Sequence, residues 1–266
     1  MGVLNVTPDS FSDGGRFVQL EAAVERGMQM AEEGAAIIDV GGESTRPGAQ
    51  PVGLDEELLR VVPVIARLRS HTDAILSVDT SKPEVMHAAA AAGAAMINDV
   101  RALRAPGALE AAAMSRCAVC LMHMPGDPRT MQDSPSYRDV VGEVRQFLAT
   151  RVEACIAAGL AAERLALDPG FGFGKTLAHN LELLRHLGEI SVKGLPVLAG
   201  LSRKSMVGTL TGRQPEERVH GSVALAVIAA LNGARILRVH DVAATVDALK
   251  VVSAVQDGRV APNPSM

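Results

Sequence analysis

Short apolar runs, rich in Val, Ile and Leu, recur along the chain, and each ends in a polar cluster. In order they are Val3 to Thr7, Ala36 to Glu43, Ile75 to Thr80, Met96 to Val100, Val119 to His123, Leu165 to Asp168, Val197 to Ser202 and Ile236 to His240. Between them the apolar positions fall at the three-and-four spacing of amphipathic helices, over 18–33, 55–70, 82–92, 107–115, 138–158, 177–187, 215–232 and 242–255. Eight strands, each followed by a helix with nothing left over, predict an α/β fold of the (β/α)8 or TIM-barrel type. A doubly wound open sheet is the alternative, but it usually has fewer strands. Gly34, Gly93, Gly159 and Gly233 each follow a helical run, where a C-cap needs left-handed backbone. Asp55, Ser81 and Asp241 stand at expected N-caps, with Pro83 in a first turn. No repeat, low-complexity block or linker interrupts residues 1–266, which read as one domain.

Composition narrows the function classes. Hydrophobic residues make up 48% of the 266 and charged residues 21%, enough for a packed core. The net charge is −4, and the 26 Lys and Arg are scattered. With no Trp and one Tyr, the chain offers neither a basic stripe nor a stacking platform for nucleic acid. No apolar run approaches the roughly 20 residues needed to span a bilayer, and the N-terminus lacks the basic region of a secretory signal. Cys117-Ala-Val-Cys120 lies inside an apolar run rather than at a helix N-terminus, so these thiols and Cys155 read as small buried hydrophobes. A reduced, cytoplasmic protein is expected.

In such a barrel the C-terminal ends of the strands build the active site. The residues found there are Asn5, Glu43 to Arg46, Asp79, Asn98, His123, Asp168, Ser202 to Lys204, and Arg238 with His240. Polar residues simply terminating strands would account for one or two of these, not for amides, carboxylates and cations at nearly every strand end. Gly170-Phe-Gly-Phe-Gly-Lys-Thr176 mimics a phosphate loop, but the required first glycine falls on Pro169.

The clusters carry a resemblance. Asn5-Val-Thr-Pro-Asp-Ser-Phe-Ser-Asp-Gly-Gly15, Asp39-Val-Gly-Gly-Glu-Ser-Thr-Arg-Pro-Gly48, Asp79-Thr-Ser-Lys-Pro83 and Ile97-Asn-Asp-Val100 resemble the motifs of dihydropteroate synthases. So do Leu121-Met-His-Met124, Asp168-Pro-Gly-Phe-Gly-Phe-Gly-Lys175, Ser202-Arg-Lys-Ser-Met206 and Arg238-Val-His-Asp241, in order and to about residue 256. The resemblance implies condensation of 6-hydroxymethyl-7,8-dihydropterin pyrophosphate with p-aminobenzoate, a step of folate synthesis that sulfonamides block by mimicking the aminobenzoate. It implies that Asp79, Asn98 and Asp168 read the pterin edge, since a buried carboxylate accepts two adjacent N–H groups bidentately. Of the adjacent pair Asn98 and Asp99, only one can face the barrel interior, and the resemblance picks Asn98. Lys204 is implied on the pterin, Ser202 near the aminobenzoate, Thr45 on the substrate, Phe173 as an aromatic lining and Met122 as an apolar wall. Taken alone, Asp79 and Asp168 also suit a cap and a turn, and Phe173 suits the core.

Pyrophosphate needs cations, and the resemblance assigns Arg46, Arg238 and His240 to it, with Asn5 as a ligand to Mg²⁺. Alone, Asn5 also suits an Asx turn, and Arg238-Val-His240 an edge pair satisfied by acidic neighbours. The implied chemistry is substitution at the pterin methylene by charge stabilisation and positioning. No Ser–His or Cys–His nucleophile pair is apparent. Loops 7–18 and 44–54, rich in Gly, Ser, Asp and Pro, are expected to close over the site, with Phe11 and Pro47 walling the aminobenzoate pocket. A homodimer is implied, with the Ala-rich helices near 215–255 as its interface. The chain starts inside the first strand, where the family usually carries a leading segment over the barrel floor. The rivals are a pterin-dependent methyltransferase, which handles no pyrophosphate, and an inactive pterin-binding homologue, which would lack Arg46, Lys204 or Arg238.

Overall fold

The computed structural model describes residues 1–6, 16–44, 50–126, 131 and 135–257, excluding the side chains of 16–18. Eight parallel strands run in sequence order: β1 (Gly2–Asn5), β2 (Ile37–Gly41), β3 (Ile75–Asp79), β4 (Met96–Asp99), β5 (Ala118–Met122), β6 (Leu165–Asp168), β7 (Val197–Ala199) and β8 (Ala234–Leu237). Each pairs with the next, and Val3 N–H bonded to the Val239 carbonyl at 2.9 Å closes the last strand onto the first. The expected barrel is therefore the fold. The helices are α1 (Arg16–Glu32), α2 (Leu54–Arg69), α3 (Pro83–Ala92), α4 (Ala108–Met114), α5 (Val140–Ala157), α6 (Leu177–Arg185), α7 (Ser205–Thr211), α8 (Val219–Leu231) and α9 (Val242–Asp257).

Strand alternation divides the residues between two environments. Leu4, Ile38, Val40, Leu76, Val78, Ile97, Val119, Leu121, Leu165 and Leu167 face outward into the core shared with the helices. The opposite positions face the barrel interior, where Met96, Cys120, Ala166 and Leu198 pack with Ile37, Ala118 and Ile236. Moving two residues along a strand keeps the same face. Thus Ile37 leads to Asp39, Met96 to Asn98, Cys120 to Met122, Ala166 to Asp168 and Ile236 to Arg238. An apolar plug fills the barrel, and the polar residues stand one step above it, towards the C-terminal ends.

Three sequence expectations need correction. Asp55 is not an N-cap: Gly53 holds that position, and Asp55 lies with Glu56 and Glu57 in the first turn of α2, where acidic groups suit the helix dipole. Ser81 is not the cap of α3 either, because Lys82 is, and the Ser81 hydroxyl instead donates to Asp99. The helix expected over 215–232 begins at Val219, and a further helix, α7, precedes it. Helix α7 packs Met206 and Val207 inward. Gly208 leaves room for the Arg218 guanidinium, which a Cβ there would approach to 2.2 Å and so displace. All four glycines are left-handed, with φ of 97°, 115°, 92° and 102° at Gly34, Gly93, Gly159 and Gly233; Gly93 is the C-cap of α3, whereas Gly159 and Gly233 stand one residue beyond the caps Ala158 and Asn232. All three cysteines are buried and unpaired.

Candidate active site

The C-terminal mouth of the barrel is organised by Arg238, at the end of β8. Its Nε donates to Asp39 Oδ2 at 2.7 Å and its Nη2 to Asp79 Oδ2 at 2.7 Å. Asp39 Oδ2 also accepts Asn98 Nδ2 at 3.0 Å. One network therefore joins β2, β3, β4 and β8 across the interior. Burial raises the Asp79 carboxyl above its ordinary range, with Arg238 pulling down and Asp39 pushing up. The same ion pairs hold the Arg238 guanidinium charged despite its burial. Arg238 engages Asp79 through Oδ2.

Asp168 and Lys204 form the opposite side. Asp168 ends β6, is nearly buried, and accepts the Gly170 N–H at 2.7 Å through Oδ1. Burial raises its pKa, against the pull of Lys204. Lys204 Nζ donates to the Phe171 carbonyl and lies 4.7 Å from the Phe173 ring centroid, a cation–π contact. Burial lowers the Lys204 pKa to about 8, with Asp168 opposing. Met122 packs with Met124 and Met131 against Phe173, an apolar wall beside these charges.

The β7 and β8 ends are tied together. Ser202 Oγ accepts the His240 N–H at 3.2 Å and lies 3.1 Å from His240 Nδ1. A Ser–His contact therefore exists where the sequence suggested none; a separation of 38 residues hides it. Both contacts fall on one hydroxyl, which makes it a clasp between strands. Between Ser202 and Lys204, Arg203 takes a left-handed φ of 58°. Its N–H donates to Ser222 Oγ at 2.9 Å, and its guanidinium grips both oxygens of Asp241. Arg218 Nη1 donates to the Arg203 carbonyl at 3.0 Å. This loop is fixed from α8 and from the start of α9.

Asn5 ends β1 beside Gly41. A Cβ on Gly41 would lie 3.8 Å from Asn5 Oδ1 and 3.7 Å from Asp79 Oδ2, so the missing side chain opens a cradle between two oxygens. Phe11, Thr45, Arg46 and Pro47 lie outside the described residues. Asp99 faces away from the interior, fully buried, and accepts from Arg101 and Leu103 N–H at 2.8 Å each, a structural role. Two contributors escaped the sequence reading. Asp39 was quoted only as part of a motif, although a carboxylate inside the apolar run Ile-Ile-Asp-Val was itself a signal. Lys175, which mimics a phosphate-loop lysine, is buried with its ammonium on the Gly170 and Phe173 carbonyls, at 2.9 Å each.

Residues 1–240 match the family model described as pterin binding enzyme. The chain is 56% identical over 254 residues to dihydropteroate synthase of Escherichia coli (strain K12), covering 96% of this chain and 90% of that protein. The chain belongs to the dihydropteroate synthase family. Dihydropteroate synthesis, a transferase reaction, is the activity that goes with that membership. Solved dihydropteroate synthases share its fold. That of Xanthomonas albilineans with 4-aminobenzoic acid superposes with a TM-score of 0.91 at 61% identity, covering 96% of this chain and 92% of that one. The same enzyme in complex with 7,8-dihydropteroate gives 0.88 at 58% identity, with 96% and 92% covered.

Proposed function

We propose that this chain condenses 6-hydroxymethyl-7,8-dihydropterin pyrophosphate with p-aminobenzoate, giving 7,8-dihydropteroate and pyrophosphate. The observation that carries the reading is one mouth holding buried acceptors, Asp79, Asn98 and Asp168, within a frame of cations, Arg238 and Lys204. Relatives seen with 4-aminobenzoic acid and with 7,8-dihydropteroate support both halves of the reaction.

In this reading Asp168 and Asp79 accept pterin N–H groups, and the Asn98 amide serves the mixed ring edge. Lys204 donates to the ring, held in place by the Phe171 carbonyl and the Phe173 face. Met122 and Phe173 supply apolar contact, and Ser202 lies on the aminobenzoate side. The methylene C–O bond breaks and its electron pair leaves with pyrophosphate. The aniline nitrogen forms the new C–N bond and then loses a proton. Arg238, His240 and Arg46 counter the charge that grows on the leaving oxygens, acting by fixed electrostatics. Thr45 contacts the substrate, and Phe11 and Pro47 wall the aminobenzoate.

Mg²⁺ fits beside them. Magnesium takes oxygen ligands and keeps waters, so one side-chain oxygen beside phosphate oxygens would suffice to hold it. Asn5 Oδ1, over the Gly41 cradle, is the oxygen the chain would give. When bound, the ion would supply charge neutralisation on the leaving group.

A homodimer is supported by exposed apolar side chains on consecutive helices: Leu210 on α7, Ile228 and Leu231 on α8, Val251 and Val255 on α9. A cytoplasmic location is supported by three buried, unpaired thiols. Among the described residues no helix is long and apolar enough to cross a membrane.

The test is pyrophosphate release from the purified chain with the pterin pyrophosphate, with and without p-aminobenzoate. Release dependent on both substrates and on Mg²⁺ is expected. Methyl transfer without pyrophosphate release would favour the methyltransferase rival instead.

A further inference from the structure

Outside the contacts assigned to substrate, one buried pair of titratable groups stands against the site. Lys175 Nζ lies 3.0 Å from His123 Nδ1, and it also donates to the Gly170 and Phe173 carbonyls. An ammonium has three donors, and here three acceptors take all of them. While Lys175 is charged, the count requires His123 to be neutral with its lone pair on Nδ1, hence the Nε2–H tautomer. Its surroundings favour that state: burial, Lys175 and Arg104 lower the imidazole pKa to about 3. The ring is further held edge-on to Phe147, with centroids 4.9 Å apart.

We propose that Lys175 and His123 are positioning residues, a buried clamp that closes the glycine turn 170–174 onto the end of β5 and so sets the pterin-facing ring of Phe173. The turn has little room to settle otherwise. A Cβ on Gly170 would lie 2.0 Å from the His123 carbonyl, and one on Gly174 would lie 2.2 Å from Pro125 Cγ. The turn is also held by Tyr137 Oη on the Gly174 carbonyl at 2.9 Å and by Asn180 Oδ1 on the Gly172 N–H at 2.8 Å. These two hold its middle and far end. Lys175 joins the carbonyls of Gly170 and Phe173, either side of the Phe171 carbonyl that Lys204 uses, and so reinforces the turn bond from the Phe173 N–H to the Gly170 carbonyl at 3.1 Å. Loss of the clamp frees Phe173 and Lys204 together, while Arg238 keeps its own partners on β2 and β3. The expected signature is weakened pterin binding with little change in anion binding. The inference rests on the proposed pterin site, but half of its test does not.

In the unaltered protein, nitrogen-resolved NMR should show His123 neutral, with hydrogen on Nε2, from pH 5 to 6, below the Lys175 pKa of about 7. The groups facing the pair are Arg104 from the β4–α4 loop, Asp168 on β6 and Lys204 after β7. A protonated imidazole in that range, or hydrogen on Nδ1 at pH 6, overturns the clamp whatever the substrate. In the second arm, His123→Asn retains an acceptor oxygen near the Nδ1 position, and His123→Leu removes it. With 6-hydroxymethylpterin as the calorimetric probe, His123→Leu and Lys175→Met should bind at least tenfold more weakly. His123→Asn should stay within about threefold of the parent, with inorganic pyrophosphate affinity unchanged in all three. Equal weakening in His123→Asn and His123→Leu would mean that ring packing alone matters, and it overturns the proposal. A parent protein that fails to bind the pterin overturns the functional reading, while the tautomer measurement still judges the clamp.

Discussion

Asp39 is fully buried, and its Oδ2 receives Arg238 Nε at 2.7 Å from the far side of the barrel closure. The guanidinium is thereby held across the mouth before any ligand arrives. Asp39→Asn should loosen Arg238 without removing its charge. Breaking a buried pair typically costs about 3–5 kcal/mol, and retention of Asn98 and Asp79 places this variant at the low end. Urea unfolding should show that loss together with a fall in turnover; unchanged values in both would make the ion pair incidental.

Arg238→Ala should act differently. It leaves Asp39 and Asp79 facing each other with their countercharge gone, and it strips the cation from the leaving-group side. Turnover should fall about 100-fold or more, since the charge matters most as negative charge develops. Pterin affinity should fall less than in Asp168→Ala, where a buried acceptor for ring N–H groups is lost at about 2–4 kcal/mol. Steady-state kinetics beside calorimetry separates the two, and the reverse order would misplace Arg238.

Binding and stability should respond to alkali in opposite senses. The folded Lys204 and Lys175 have pKa values near 8 and 7, against 10.5 unfolded. Between those values the unfolded chain binds more protons, so these groups make stability rise with pH from about 7 towards 10.5. Pterin binding, which uses the Lys204 ammonium, should weaken above about pH 8. In acid, His123 gives a stability slope of the same sign: its folded pKa near 3 lies below 6.5, so stability drains as pH falls between them. Paired thermal melts and pterin titrations from pH 4 to 10 check both, and parallel slopes in alkali would refute the lysine assignment.

Two glycines with nearly equal φ provide a control on the turn after β6. Gly170 has φ 69° and Gly194 has φ 74°. A Cβ on Gly194 meets nothing within 4 Å, so Gly194→Ala should cost only the backbone strain, about 1 kcal/mol. Gly170→Ala must also displace the His123 carbonyl and should abolish pterin binding even if the chain folds. Similar behaviour of the two variants would show that the close approach does not matter.

The barrel was legible because the same two-residue period that writes the outer core also writes the interior plug. Asp79, Asn98, Asp168 and Arg238 were legible because they stand at strand ends, and Lys204 because it lies in the polar cluster that follows β7. Asp39 was harder: it lies inside a strand, two residues before Gly41, and no polar cluster marks it. Helix α7 was missed because Ser205 to Thr211 is short and holds Thr209, Thr211 and Gly208, all weak helix formers; its glycine makes sense only once Arg218 lies across it. The Ser202–His240 and Lys175–His123 contacts are products of closure, joining residues 38 and 52 apart that no local pattern relates. Phe11, Thr45, Arg46 and Pro47 fall outside the described residues, so their placement rests on the motifs.

The register of β2 has one further effect. Asp39 is paired with Val3 on one side and Ser77 on the other. A slip of one residue would turn Ile38 or Val40 inward and send the carboxylate into the apolar layer beneath the helices. Arg238 would then lose its countercharge, and the outer core would gain a charge it cannot hydrate. Assembly errors and loss of the site are thus the same event. Recovered activity after refolding should count correctly registered barrels, and a misthreaded population should be inactive rather than partly active.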